Sequence, residues 1–200
     1  MKTKPHIGAL AGIVLAAAGC IETDEPAALR APCRWTQLLV NPTFDAEPAG
    51  AGWTALTSRP GDFIVTDQDF ADAPIEDTAP YKAYMGGFDA VAEQLYQDVV
   101  IPADTQALVL TGRYHVSTIE TEGFVFDQAK VVLISPVGAH EELQWWANTS
   151  ATTGWTPFTA SAGQIFAGQV TRVVFEVVTD AERWTSFLFD SLALYAESCS

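Results

Sequence analysis

Apolar and polar residues alternate in short runs along most of the chain, and no 3.6-residue period persists anywhere after the first twenty positions. Gln106–Ser117 is the clearest run. Leu108, Leu110, Tyr114 and Val116 fall on one face and Thr111, Arg113, His115 and Ser117 on the other, the period of a half-buried strand. Glu93–Ile101 alternates too, with Leu95, Val99 and Ile101 on one side. Val170–Val178 sets Val173, Phe175 and Val177 against Arg172, Val174 and Glu176. Trp35–Val40, Asp62–Thr66, Tyr81–Met85, Phe124–Ser135, Leu143–Asn148, Trp155–Thr159 and Thr185–Tyr195 read as further strands, separated by punctuation such as Asn41-Pro42 and Gly86-Gly87. About ten short strands without a helix predict an all-β antiparallel sandwich. Leu108, Leu110, Val173, Phe175, Val177 and Leu188 are its expected core. A Rossmann crossover or a TIM barrel is excluded, since both need helices between strands.

The first twenty residues follow a different logic. Lys2 and Lys4 form a basic start, and Ile7 to Ala18 is apolar and small. That run is too short to span a bilayer, which takes about 20 residues, and it suits a secretory signal. Ala16-Ala17-Ala18-Gly19-Cys20 resembles the bacterial lipobox, whose Cys is lipidated and becomes the first residue. The lipobox position usually held by Leu is Ala17 here, and an ordinary signal peptide cut after Ala-x-Ala is the alternative. The expected organisation is a signal over 1–19, a charged Pro/Ala-rich tether over 20–33 and one sandwich over 34–199. Lipidation of Cys20 leaves Cys33 and Cys199 as an even pair at the two ends of the sandwich. An exported compartment permits a disulfide between them.

Charge narrows the partners. There are 10 Lys and Arg against 25 Asp and Glu, net −15. Such a chain lacks the clustered cations that nucleic-acid phosphates require, and anionic lipid surfaces repel it. Contact with a membrane is expected through the lipid anchor only, which places the protein in the cell envelope. A hydrophobic content of 48% with 11% aromatics is enough for a packed core and excludes disorder. The acidic stretch at Asp67–Ala79 reads as a solvated loop whose spacing matches no EF-hand.

Leu39-Val-Asn-Pro-Thr-Phe-Asp45 followed by Gly52-Trp53-Thr54 resembles the opening of galactose-binding-like jelly-roll domains, among them many xylan- and cellulose-binding modules. Ser186-Phe-Leu-Phe-Asp-Ser-Leu-Ala-Leu194 resembles their terminal strand, with Ser191 where a second acid is usual. The resemblance covers roughly residues 34–196 and implies a two-sheet jelly-roll sandwich and a non-catalytic binding module. Carbohydrate is the first-choice ligand. The alternative is a structural or protein-interaction lipoprotein, bound to another surface protein, that keeps the scaffold without binding sugar. The resemblance also implies a structural calcium held by Asp45 and Asp190, with carbonyls from Tyr81–Gly87. The residues point the same way, because Asp190 interrupts an apolar row and a buried carboxylate needs a cation or a dense set of donors. Capping of neighbouring amides by Asp190 is the competing reading.

If the strands carrying Arg113 and Glu176 share a sheet, Arg113, His115 and Glu176 form one outward polar face. Trp145, Trp146, Trp155 and Trp184 are candidate sugar platforms beside it. Trp145 and Trp146 are adjacent on one strand and so point to opposite faces. Catalytic motifs are missing. There is no HExxH, no GxSxG and no Gly-rich phosphate loop, so the chain reads as a non-enzyme.

Overall fold

The computed structural model describes residues 32–70 and 77–199. The expected signal, Cys20 and most of the tether lie outside the described residues. Among the described residues eleven strands form: β1 (Arg34–Gln37), β2 (Thr54–Thr57), β3 (Val65–Thr66), β4 (Lys82–Gly86), β5 (Ala92–Val100), β6 (Thr105–Thr118), β7 (Gln128–Ile134), β8 (His140–Ala147), β9 (Thr156–Ala162), β10 (Val170–Val178) and β11 (Thr185–Ser198). Two single-turn 3-10 helices, Asn148–Ser150 and Gln164–Phe166, follow β8 and β9.

The strands make two antiparallel sheets. One runs β3-β4-β11-β6-β9, with β1 also pairing β11, and the other runs β2-β5-β10-β7-β8. This is the expected two-sheet sandwich. The alternating runs supply its core: Leu108, Leu110, Val173, Phe175 and Val177 belong to one buried cluster with Phe187, Phe189, Leu192 and Leu194.

Leu188 is equally buried but lies outside that cluster, and a bulge in β11 explains why. Asp190 pairs with Arg113 and Ala193 with Thr111, so Ser191 and Leu192 together oppose Gly112. Ser191 takes a positive φ of 51°. The extra residue swaps the faces. Phe187 and Phe189 point into the core before the bulge, and Leu192, Leu194 and Ala196 do so after it. Leu188 and Asp190 therefore share the outer face, where Tyr84 on β4 is the register partner of Leu188. A Cβ on Gly112 would stand 2.5 Å from Leu192 Cδ2 and 2.7 Å from Phe158, so the bulge closes only over glycine.

The opening motif folds as a corner. Asn41 adopts a φ of 51°, and its side chain donates to the Ala51 carbonyl. Trp53 Nε1 donates back to the Asn41 carbonyl at 2.9 Å. Phe44 is thereby driven into the core, 5.3 Å from the Trp53 ring. Gln97, buried on β5, accepts from Val40 N–H and donates to the Val40 and Gly52 carbonyls. Cys33 and Cys199 are disulfide-bonded, with Cα atoms 4.2 Å apart, and so join the start of β1 to the end of β11.

Candidate functional site

The face expected from Arg113, His115 and Glu176 does not form, because β6 and β10 lie in different sheets. Arg113 is on the outer side of the six-stranded sheet, where its Nε meets Asp77 at 3.2 Å. His115 is buried, its Nδ1 2.8 Å from the Thr152 hydroxyl and its ring edge-on to Trp155 at 6.5 Å. Trp155, just before β9, and Trp184, just before β11, are half-buried. Trp146 is a core residue with 2% exposure, packed on Tyr114, Phe158 and Phe189. That rules it out as a surface platform. Its neighbour Trp145 is the one that faces outward, at 39% exposure.

Glu176 instead belongs to a polar row across the outer side of the five-stranded sheet. Leu56 of β2 pairs with Gln94 of β5. Gln94 pairs with Glu176 of β10, Glu176 with Lys130 of β7, and Lys130 with Trp145 of β8. Five strands at about 4.8 Å spacing make this row about 19 Å long. Its middle is a hydrogen-bonded ladder. Gln94 Nε2 donates to Glu176 at 2.9 Å, and Lys130 Nζ lies 3.2 Å from the other Glu176 oxygen. Exposed apolar groups close both ends, Leu56 at 51% and Trp145, whose Nε1 donates to Gln128.

A second pair stands beside this row. Arg172 grips Asp98 through two hydrogen bonds of 2.8 and 2.9 Å and stacks over Tyr96 at 3.8 Å. The guanidinium holds the Asp98 carboxyl below its ordinary pKa by direct hydrogen bonding. Two hollows open on the same face, one of about 410 Å3 bordered by Leu56, Gln94, Glu176 and Val178, and one of about 270 Å3 bordered by Asp98, Ile134, Pro136 and Arg172. Polar groups of fixed geometry flanked by apolar surface are the usual make-up of a small-molecule site.

The two acids singled out for calcium sit within electrostatic reach of each other. Asp190 is fully buried. Thr78 donates to it through N–H at 2.8 Å and through Oγ1 at 3.0 Å, and the Ser191 N–H donates at 2.6 Å. Burial still pushes its pKa up, from 3.8 to about 6; those donors oppose the rise and Asp45 adds to it. Asp45 accepts the Tyr81 N–H at 3.1 Å. Arg113, opposite Asp190 in register, gives its Nε to Asp77. Asp190 is thus a buried carboxylate served by dipoles, with no ion pair to a basic side chain among the described residues. Among the described residues, the one trio of ligand-type side chains with donor atoms within 4.8 Å of one another is Cys33, Glu197 and Cys199, and its sulfurs are spent in the disulfide.

The architecture is that of the β-sandwiches found in carbohydrate-binding modules. The similar structures include TmCBM61, solved in complex with β-1,4-galactotriose, with a TM-score of 0.55 and 13% identity over 80% of this chain and 99% of that one. The arabinose-bound α-L-arabinofuranosidase MgGH51 gives a TM-score of 0.52 and 14% identity over 80% of this chain and 26% of that one. At these identities the likeness is one of fold. No family model and no curated protein matches the sequence.

Proposed function

We propose that the protein is a non-catalytic carbohydrate-binding module whose ligand lies across the outer face of the five-stranded sheet. The observation that carries this is the in-register row Leu56–Gln94–Glu176–Lys130–Trp145. A row about 19 Å long accommodates several linked sugar rings. The indole of Trp145 supplies a flat apolar surface for the C–H face of a ring, and the Gln94–Glu176–Lys130 ladder offers donors and acceptors to hydroxyls at fixed spacing. A structure of similar fold over nearly its whole length, TmCBM61, was solved in complex with β-1,4-galactotriose, which supports the ligand class.

The same reading includes a structural calcium. Asp45 and Asp190 fit a hard cation, since both are oxygen donors and Asp190 is buried with neutral N–H and hydroxyl donors as its partners among the described residues. Three donors on two carboxylate oxygens leave further acceptor capacity on Asp190. Bound there, calcium supplies positive charge that keeps both carboxylates ionised. Export and anchoring through lipidated Cys20 complete the proposal.

Isothermal titration with galactan, xylan and arabinan oligosaccharides tests the sugar site. The expected result is binding of at least one of them, weakened tenfold or more in Trp145→Ala and in Glu176→Gln, with Trp155→Ala unchanged. If no oligosaccharide binds, or if Trp145→Ala binds as the wild type does, the assignment of this face fails.

A further inference from the structure

A hollow of about 240 Å3 opens beside β3 and β4, at the edge of the six-stranded sheet. Phe63, Phe70, Tyr84 and Phe88 border it, and so do Asp62 and Glu93. Among the described residues on its border none is basic. Gly86 and Gly87 end β4 with φ of 72° and 76°, and Phe88 follows at the rim, where its carbonyl accepts the Thr179 hydroxyl. Phe70 stacks on Tyr84 with ring centroids 4.0 Å apart, and the Tyr84 hydroxyl is held at Ser186, 2.8 Å away. Phe63 is 79% exposed, a large ring that the core leaves uncovered.

Glu93 points away from its neighbour Gln94 on β5 and is buried. Its two oxygens accept the Gly86 N–H at 2.8 Å and the Thr57 hydroxyl at 3.0 Å. Burial raises its pKa; those two donors and Arg59 oppose the rise, and Asp62 adds to it. A cation in the hollow would act on Glu93 in the same direction as Arg59. The fully buried Lys82 gives its Nζ to the Gln68 carbonyl at 2.9 Å and is not on the border. The rim already holds one cation of its own. The Arg59 guanidinium lies 3.5 Å above the Phe88 ring, and its Nε donates to Asp62 at 2.6 Å. A positive group between an aromatic face and a carboxylate is the arrangement that the quadrupole of the ring favours. The net charge of −15 draws further cations to the surface.

We propose that this hollow is a binding site for a methylated ammonium group, with Phe63, Tyr84 and Phe88 as its aromatic walls and Glu93 as its counter-charge. The space is smaller than the roughly 300–1,000 Å3 of pockets for drug-sized ligands, so it suits a compact head group and is too small for an oligosaccharide. A primary ammonium carries three donors that need acceptors, and here both Glu93 oxygens and one Asp62 oxygen already accept hydrogen bonds. A methylated ammonium donates none. It asks for negative charge and apolar contact, and the hollow offers both. A neutral ligand of the same shape would fill the space and leave the Glu93 charge unanswered.

Titration of the full chain with choline tests this, by calorimetry and by amide resonances. The Gly86 N–H donates to Glu93, so its resonance reports occupancy. Choline should bind and shift that resonance, and dimethylbutanol, its uncharged isostere, should bind at least tenfold more weakly. Phe63→Ala and Glu93→Gln should each weaken choline binding tenfold or more, and the exposed Phe63 decides if Glu93→Gln does not fold. Trp145→Ala should leave choline binding unchanged, so this site is read independently of the sheet-face row. Phosphatidylcholine vesicles separate the two sources of the group: association that Phe63→Ala abolishes marks a lipid head group, and choline binding without association marks a free small molecule. Absence of choline binding, equal binding of choline and dimethylbutanol, or equal choline affinity in wild type and Phe63→Ala overturns the inference. A Gly86 shift produced by an oligosaccharide and not by choline also overturns it, because the hollow then belongs to a sugar site.

Discussion

The sharpest test of the interior electrostatics is the pH dependence of Asp190. Its native pKa is raised from 3.8 to about 6, chiefly by burial. Below about pH 4 the carboxyl is protonated in both the folded and the unfolded chain, and it carries no penalty. As pH rises from there to about 6, the unfolded chain loses its proton while the native state keeps it, so stability falls. Above pH 6 both forms are ionised and the full penalty remains. A shift of about two units corresponds to about 3 kcal/mol, and Asp190 is fully buried, so solvent does not screen it away. For a domain of this size that is about 6–12 °C in Tm. The assay is thermal unfolding in chelator between pH 3.5 and 7, with Asp190→Asn as the reference. Glu93 and Asp127 also have raised pKa values and tilt both profiles alike, so the difference between the two proteins is the readout. Wild type should lose about 3 kcal/mol relative to the variant across this window. Calcium at pH 7 should recover it in wild type alone, by mass action on the ionised native form. Parallel pH profiles for the two proteins in chelator would refute the electrostatic reasoning. A wild-type melting curve at pH 7 that calcium leaves unchanged, or shifts no more than it shifts the variant's, would refute the Asp45–Asp190 cation.

Two further outcomes are expected. Reduction of the Cys33–Cys199 disulfide, or Cys33→Ser, releases a loop whose ends are 166 residues apart. In the chain-entropy treatment this loses about 5 kcal/mol, and calorimetry with and without reductant should show a drop in Tm of more than about 10 °C; an unchanged Tm contradicts it. Cys20→Ala should move the protein from the membrane fraction to the soluble one in fractionated cells, and an intact mass of the wild type without an acyl modification refutes lipidation.

Alternation made the central strands legible. The bounds Val170–Val178 read from the sequence are those of β10, because both ends are marked by a change of pattern and the inward row is unbroken. Strand β2 escaped notice for the opposite reason. Thr-Ala-Leu-Thr is short and largely exposed, and it is a strand because β5 offers it an edge. Its own sequence hardly marks it. The last strand shows a subtler limit. Read at strict period two, Phe187 and Phe189 fall on one face and Leu192 and Leu194 on the other, so both faces look apolar. One inserted residue at Ser191 puts all four on the core side. A bulge has no sequence signature of its own, and here its partner Gly112 sits 79 positions away in β6.

The candidate site divides along the same line. Asp190 stood out in the sequence because one charged residue in an apolar strand violates the chemistry of burial wherever that strand ends up. Its donors could not be seen that way, since Thr78 is 112 residues distant. The sheet-face row is harder still. Leu56, Gln94, Lys130, Trp145 and Glu176 are individually ordinary, and they become a surface only when the order β2-β5-β10-β7-β8 lines them up. Alternation predicts that Trp145 and Trp146 point in opposite directions. Which of them reaches solvent is decided by register. Trp146 pairs with the buried Ala129, and Trp145 pairs with Lys130 on the outer face. A one-residue slip between β7 and β8 would exchange the two indoles. It would bury the surface aromatic and expose the one packed on Phe158 and Phe189. The same contacts that fill the core therefore hold the Trp145 ring outward, and the binding face depends on core packing that no ligand touches.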